Sequence, residues 1–333
     1  MHTCECCGRQ TRWLTDLNID SKEMFDNVCK INPSLKIEFT GDVLRICDEC
    51  WEKVVSRCPV CHELMPKGTL CDCFRDNILD YSNKTLVFPK YNGIVKYPKL
   101  RFGLEIETLF RGDYDAHKKA LGSFTNVLGK GLCKFKYDGS LGLKGAEFVT
   151  MPLYYEHFKS LSSRFTKAFN TYASLGGYSW SSNRTGCHIH LSRDAFINNR
   201  HLEIFFVGMS KNVRFLHRIA KRGENQWVEH PMRLNYKKKV IQNLEQLSVN
   251  IVKRRFAIDR HCYVNYNNRN TVEVRIYKGT IKWSAVMSYI QHSYSMFEYT
   301  MLCVLNRISF TVEGYRKYVL NNKARFPELA KEI

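Results

Sequence analysis

Residues 99–110 run Lys-Leu-Arg-Phe-Gly-Leu-Glu-Ile-Glu-Thr-Leu-Phe, and the architecture turns on how this stretch is read. In a β-strand successive side chains leave on opposite faces. Glu105 and Glu107 therefore share one face, and Leu104, Ile106 and Thr108 the other. Two carboxylates about 7 Å apart along a strand suit either a divalent cation or a solvated strand surface. Phe102-Gly103 before the pair and the apolar residues after it favour a largely buried strand. Carboxylates in such a strand require compensating positive charge.

Working outward, Ala146-Glu147-Phe148-Val149-Thr150-Met151-Pro152-Leu153 reads as a second strand, with Glu147 alone in an apolar stretch. It follows Lys136-Tyr137-Asp138-Gly139-Ser140-Leu141, whose Asp-Gly signals a turn. Residues 155–174 have helical spacing in Phe158, Leu161, Phe165, Phe169 and Tyr172, a stripe expected to cover the sheet. In Thr185-Gly186-Cys187-His188-Ile189-His190-Leu191-Ser192-Arg193, His188 and His190 share a strand face. Such a pair fits a metal or phosphate site as well as it fits two structural histidines. Between Arg260 and Lys282, Tyr263-Val264-Asn265 and Thr271-Val272-Glu273-Val274-Arg275-Ile276-Tyr277-Lys278-Gly279-Thr280 read as two strands joined by a turn at Asn267–Asn270. Glu273 and Arg275 share a face. A helix over about 283–305, apolar at Val286, Ile290, Phe297, Met301 and Leu305, is expected to pack back on the sheet.

An E-x-E, a later strand Glu, an H-x-H and an E-x-R follow one another in this order. That order resembles the glutamine synthetase and glutamate–cysteine ligase superfamily of carboxylate–amine ligases, and within it the amidoligase family. Phe-Gly-Leu-Glu-Ile-Glu, Asp-Gly-Ser-Leu with Ala-Glu-Phe-Val-Thr-Met-Pro-Leu, Thr-Gly-Cys-His-Ile-His-Leu-Ser and Thr-Val-Glu-Val-Arg-Ile-Tyr-Lys-Gly-Thr all look like its motifs, over roughly residues 99–300. The resemblance implies an α+β fold: an antiparallel sheet whose concave face holds ATP and Mg²⁺ or Mn²⁺, with helices behind. It also implies a reaction in which ATP phosphorylates a carboxylate and an amine displaces the phosphate. By the same resemblance Glu105, Glu107, Glu147, His188 and Glu273 match metal positions, and Arg275 matches the phosphate-contacting arginine. His190 would contact substrate or orient a ligand. Lys278, Arg222, Tyr263 and Asn265 are lesser candidates for nucleotide or substrate contacts. The basic segment 200–258, with Arg214, Arg218, Lys221, Lys237, Lys238, Lys239, Lys253, Arg254 and Arg255, lies outside the match apart from Arg222.

Ten of the 14 cysteines fall in the first 73 residues, including Cys4-x2-Cys7, Cys47-x2-Cys50, Cys58-x2-Cys61 and Cys71-x-Cys73. Zinc takes four thiolates in a tetrahedron, and a two-residue gap lets one turn supply two of them. Four pairs give two Zn²⁺ sites. The simplest pairing is sequential, Cys4/Cys7/Cys47/Cys50 and Cys58/Cys61/Cys71/Cys73, with a cross-brace as the alternative and Cys6, Cys29 and His62 as substitute ligands. A helix beginning on the second knuckle, near Trp51, gives a treble-clef pattern. The expected organisation is a zinc-binding module over 1–75, a connector over 76–98 and a catalytic domain over 99–333. The module's place before the catalytic part suggests that it presents a peptide or protein substrate.

The chain has 333 residues and carries 51 Lys and Arg against 32 Asp and Glu, a net charge of +19. Residues 1–75 hold 10 basic and 12 acidic side chains, so the remainder, 41 against 20, carries all of the positive charge. Nucleic acid is a partner to weigh on that charge, and ATP with an acidic substrate is the other. No apolar run approaches the roughly 18 residues of a membrane span. The first residues, Met1-His2-Thr3-Cys4, show no secretory signal, and a reducing cytoplasm is expected. Two competing functions remain. One is a metal-dependent single-strand nicking endonuclease using His188-Ile189-His190 with Tyr289 or Tyr294 as nucleophile. The other is a non-catalytic zinc-bearing nucleic-acid binder. Neither accounts for four strand glutamates.

Overall fold

A computed structural model describes residues 1–19, 22–35, 43–57, 64–67, 78–79, 88–129, 131–136, 138–141, 145–181, 184–223 and 262–333. Cys58, Cys61, His62, Cys71 and Cys73 lie outside the described residues, as do the lysines and arginines of 237–255. The chain divides into two compact units, Met1–Ile78 and Leu79–Ile333.

In the first unit β1 (His2–Thr3) pairs with β2 (Gln10–Thr11), and β3 (Thr15–Asn18) is followed by α1 (Lys22–Ile31) and β4 (Val43–Ile46), its partner. Then come α2 (Asp48–Val54), β5 (Val55–Arg57) and β6 (Leu64–Pro66). The turn after Cys4 closes through Gly8 N to Cys4 O at 2.8 Å, with Gly8 at φ +74°. That left-handed backbone is cheap only for glycine. Cys47 is the N-cap of α2, so the helix does start on the second knuckle. Leu17, Val28, Ile46 and Val54 form a small core around Cys4, Cys6, Cys47 and Cys50.

β7 (Ile78–Leu79) falls where one unit gives way to the other. The second unit is α+β. Its elements are β8 (Phe102–Phe110), α3 (Tyr114–Leu128), β9 (Cys133–Lys136), β10 (Gly145–Thr150), α4 (Tyr155–Ser160), α5 (Ser162–Ser174), β11 (Gly177–Tyr178) and β12 (Gly186–Ser192). After them come α6 (Asn199–Gly208), α7 (Val213–Ala220), β13 (Val264–Asn265), β14 (Thr271–Lys278), α8 (Trp283–Leu305), α9 (Val312–Asn321) and α10 (Pro327–Ala330). The strands lie in the order β13-β14-β12-β8-β10-β9, all antiparallel, with β11 also pairing β8.

One face of the sheet is apolar. Phe102, Leu104 and Ile106 of β8, Phe148 of β10 and Ile189 of β12 are at most 1% exposed. Aromatic rings from the helices cover them: Phe124 of α3, Phe165 and Phe169 of α5, and Trp283 of α8. Phe165 and Trp283 stack with ring centroids 4.1 Å apart, a geometry that adds to the area they bury. The helical stripe of 155–174 is interrupted at Leu161 (φ −93°, ψ 3°), which turns the chain from α4 into α5.

β14 departs from simple alternation. Cys187 pairs with Tyr277 but Ile189 pairs with Val274, so His188 faces two residues, Arg275 and Ile276. This extra residue is a β-bulge, and it reverses facing beyond it. Tyr277 therefore turns to the helices, where it stacks on Tyr289 at 4.6 Å and its hydroxyl lies 2.9 Å from His292 Nδ1. Lys278 then leaves on the same face as Glu273.

Candidate functional site

Register assembles the polar face. His188 lies opposite Glu105, His190 opposite Glu273 and Glu147 opposite Glu107. Directly opposed residues have Cβ atoms about 4.5–5.5 Å apart, so three strand pairs bring six chemistry-bearing side chains together. His188 Nδ1 is 3.5 Å from Glu105 Oε2 and 3.4 Å from Glu273 Oε1, and His190 Nε2 is 3.3 Å from Glu105 Oε1. Two donor sets result, Glu105/Glu147/His188 and Glu105/His190/Glu273, each with its atoms within 4.8 Å of one another. Glu105 belongs to both. Glu107 stands beside them, with its Oε1 3.9 Å from His188 Nε2 and its Oε2 accepting from Gly186 N–H.

The electrostatics fit a cation. Burial pushes Glu147 up to about 9, helped by Glu105 and Glu107 and opposed by Lys136 across the ladder. Burial would also raise Glu105, but His190 and His188 outweigh it and hold the carboxyl well below its usual range. Glu273 is lowered in the same way, by His190, His188 and Arg275 against burial. Burial pulls His190 down, yet Glu105 and Glu273 raise it on balance. Among the described residues, His188 Nδ1 and His190 Nε2 are buried without a hydrogen bond of good geometry, though carboxylate oxygens lie 3.3–3.5 Å away. Ring nitrogens and carboxylate oxygens gathered in this way offer lone pairs that a cation would accept.

The other sequence candidates divide. Arg275 Nη1 is bonded to Glu273 Oε1, while its buried Nε has no partner among the described residues. Asn265 donates to Glu273 Oε2 at 2.8 Å and so orients that carboxylate. Arg222 Nη1 donates to Tyr277 O at 3.3 Å; burial lowers its pKa and Glu107 opposes the shift. Lys278 Nζ lies 4.8 Å over the Trp180 ring. Tyr263 does not join the group: it is 1% exposed, and its hydroxyl meets His217 Nε2 of α7 at 2.7 Å. The sequence reading missed Asn268, whose amide reaches Glu273 Oε2 at 3.2 Å, and Thr271, whose hydroxyl lies 3.1 Å from His190 Nδ1. Both were read as turn or strand surface, and only their closeness to Glu273 in sequence hinted otherwise.

No protein-family model matches the chain, and no curated protein matches its sequence. Solved structures do. Glutamine synthetase of Plasmodium falciparum aligns over 60% of this chain and 52% of its own, at 11% identity and TM-score 0.35. A complex between the prokaryotic ubiquitin-like protein Pup and its ligase PafA aligns over 60% of this chain and 46% of its own, at 12% identity and TM-score 0.28. The chain thus spans about half the length of each. What it can do has to be argued from its own side chains.

In the first unit, Cys4, Cys7, Cys47 and Cys50 bring their sulfurs within 4.8 Å of one another. Cys7 Sγ and Cys47 Sγ are 3.9 Å apart, against about 3.8 Å for two sulfurs of a tetrahedron with 2.3 Å zinc–sulfur bonds. Burial raises Cys4, but the N–H groups of Cys7, Cys47 and Cys6 outweigh it and bring it to about 7, a poised thiolate. The grouping matches the first set of the sequential pairing. Cys6 is fully buried beside it, and Cys29 is half-buried.

Proposed function

We propose that the chain is an ATP-dependent carboxylate–amine ligase working through an acyl-phosphate. The observation that carries the reading is the convergence of Glu105, Glu147, His188, His190 and Glu273 into two donor sets beside Arg275, on one face of an antiparallel sheet. The donors fit Mg²⁺ or Mn²⁺: carboxylate oxygens suit hard cations, and imidazole shifts the balance toward Mn²⁺. When bound, such a cation would neutralise charge developing on phosphate oxygens. Glu105, Glu147 and His188 would hold one and Glu105, His190 and Glu273 another, with Glu107 completing the lining. Arg275 offers its Nε and remaining guanidinium nitrogens to phosphate oxygens as a fork. Its partner Glu273, held in turn by Asn265 and Asn268, keeps that fork in place. The γ-phosphoryl of ATP passes to a substrate carboxylate and ADP leaves. An amine then attacks the acyl carbon, loses a proton and expels phosphate.

The Cys4/Cys7/Cys47/Cys50 cluster is proposed to hold zinc, within a zinc-binding module over 1–75 that precedes the catalytic part. Full turnover on every substrate after deletion of 1–75 would remove any role for it in presenting a peptide or protein substrate. The nicking reading loses its nucleophile. Tyr289 and Tyr294 are 1% and 2% exposed, stacked on Tyr277 and edge-on to Phe102 in the helix layer.

The test is phosphate release from ATP with Mg²⁺, screened across amines and carboxylates. Glu105→Gln and Glu273→Gln should each lower it at least about 100-fold while the melting temperature stays within a few degrees. Unchanged turnover in both variants refutes the site.

A further inference from the structure

The larger unit holds a cavity of about 840 Å³ that none of the five donor residues lines. Its walls are the segment after β11, including Ser179 and Trp180, the chain between β14 and α8, and the first turns of α8. The charges at its rim largely cancel: Lys221 pairs with Glu332, and Lys331 with Glu328 at 2.8 Å. Lys282 is different, since among the described residues no carboxylate pairs with it. It is also the N-cap of the 23-residue α8 and supplies no side-chain cap. Its carbonyl takes the N–H groups of Ala285 and Val286, and among the described residues those of Trp283 and Ser284 have no acceptor. Unspent N–H groups at the start of a long helix carry partial positive charge. Independently, Ser288 lines the cavity, is 3% exposed, and its hydroxyl has no hydrogen-bond partner among the described residues. Burying an unsatisfied hydroxyl is costly, so it calls for a polar ligand.

We propose that this cavity binds a carboxylate-bearing substrate. The carboxylate is received by the first turn of α8, Lys282 and the Ser288 hydroxyl, and the body of the molecule packs beside the half-exposed Trp180 ring, over which Lys278 Nζ lies at 4.8 Å. Of the lysines lining the cavity, Lys282 alone has no carboxylate partner among the described residues, and with the helix end it matches a single negative charge. A multiply charged phosphate would meet Glu328 and Glu332 with too little positive charge to offset them. The cavity is wired to the strand of the glutamates: the Ser179 hydroxyl donates to Glu107 O at 2.7 Å, and the Thr185 hydroxyl donates to Ser179 O at 2.7 Å. That the bound carboxylate belongs to a substrate rests on the ligase reading; that the cavity binds one does not.

The experiment is calorimetric titration of the full chain, without nucleotide, by hippurate (a carboxylate on a flat body) and separately by inorganic phosphate. Hippurate should bind, and Lys282→Glu should weaken it at least tenfold. Ser288→Ala should weaken it several-fold, and Glu105→Gln should leave it unchanged, each variant first checked for an unaltered melt. No hippurate binding, equal binding by Lys282→Glu, or phosphate bound more tightly than hippurate overturns the proposal. Loss of ATP turnover in Glu105→Gln is read separately, so the ligase reading and the pocket fail on different measurements.

Discussion

Gly186 occupies the point where three side chains of the site converge. A Cβ there would lie 2.8 Å from Arg222 Nη1, 3.0 Å from His188 Nε2 and 3.3 Å from Glu107 Oε2. Arg222 is long enough to yield, but His188 is held by its strand and by two glutamates. Gly186→Ala should therefore displace the imidazole by several tenths of an ångström and lower ATP turnover about 10- to 100-fold, with a melting temperature within a few degrees of wild type. Turnover equal to wild type would show that the imidazole need not stay where it is. The same residues mark what alternation alone could reach. That Glu105 and Glu107 share a face, and His188 and His190 another, is legible because strand periodicity is local. Which ring meets which carboxylate is not. It depends on a ladder joining residues 85 positions apart, as His190 and Glu105 are. His190, read from sequence as a substrate contact or an orienting group, stands among the donors of the second set for that reason.

At the level of elements, α2 and the turn after Cys4 exist to aim sulfurs. Cys47 N–H lies 3.3 Å from Cys4 Sγ, so helix start and cysteine knuckle are one construction. Cys47→Ser should lower the zinc content of purified protein by one ion per chain and destabilise this small unit severely, since structural zinc supplies much of the folding free energy of such modules. Metal analysis by plasma mass spectrometry is the check, and an unchanged zinc content would reject the cluster as a zinc site. The helix at 283–305 was legible because Val286, Ile290 and Phe297 keep an apolar spacing and are at most 1% exposed, but Leu305, read into the same stripe, lies at the helix end and is 62% exposed. The bulge in β14 was not legible: strict alternation through Glu-Val-Arg-Ile-Tyr-Lys would put Tyr277 on the face of Glu273 and Lys278 on the other. The extra residue opposite His188 is a property of the pair of strands, and it decides that Tyr277 packs on α8 while Lys278 shares the face of the glutamates. Tyr263, a lesser candidate in the sequence, sets its hydroxyl against His217 Nε2, a pairing 46 positions long that local pattern does not show.

For the whole of the larger unit, acid is the vulnerable direction. Burial lowers His117 to about 4, His201 to about 4 and His292 to about 3, and all three are at most 5% exposed. Each is neutral in the fold but takes a proton in the unfolded chain below about pH 6.5. Depressed values mean that their contribution is complete above pH 6.5 and is lost as pH falls toward the folded values. At pH 5 each should have cost about 2 kcal/mol. Glu298, 1% exposed, adds a second window lower down. Burial would raise it, but Arg325 and Lys96 hold it below 4.5, so its contribution fades as pH drops beneath that value. Chemical denaturation of the full chain at pH 7.5, 6, 5 and 4 should show stability falling progressively below 6.5. A flat profile between 7.5 and 5 would mean that the three imidazoles are solvated.

Glu298 also has a topological consequence. Lys96, which precedes the first long strand of the sheet, and Arg325, close to the last helix, reach the same Oε1 at 2.8 and 2.7 Å. Two segments far apart in the larger unit are thus moored at one carboxylate of α8. Segments moored to one point can be covalently joined: a linker between the Arg325 and Lys96 segments could replace one of the present connections, with a new opening in the connection between α3 and β9. Such a permuted chain would keep every strand pair of the site intact. It would also free the larger unit from its present place after the cysteine-rich unit.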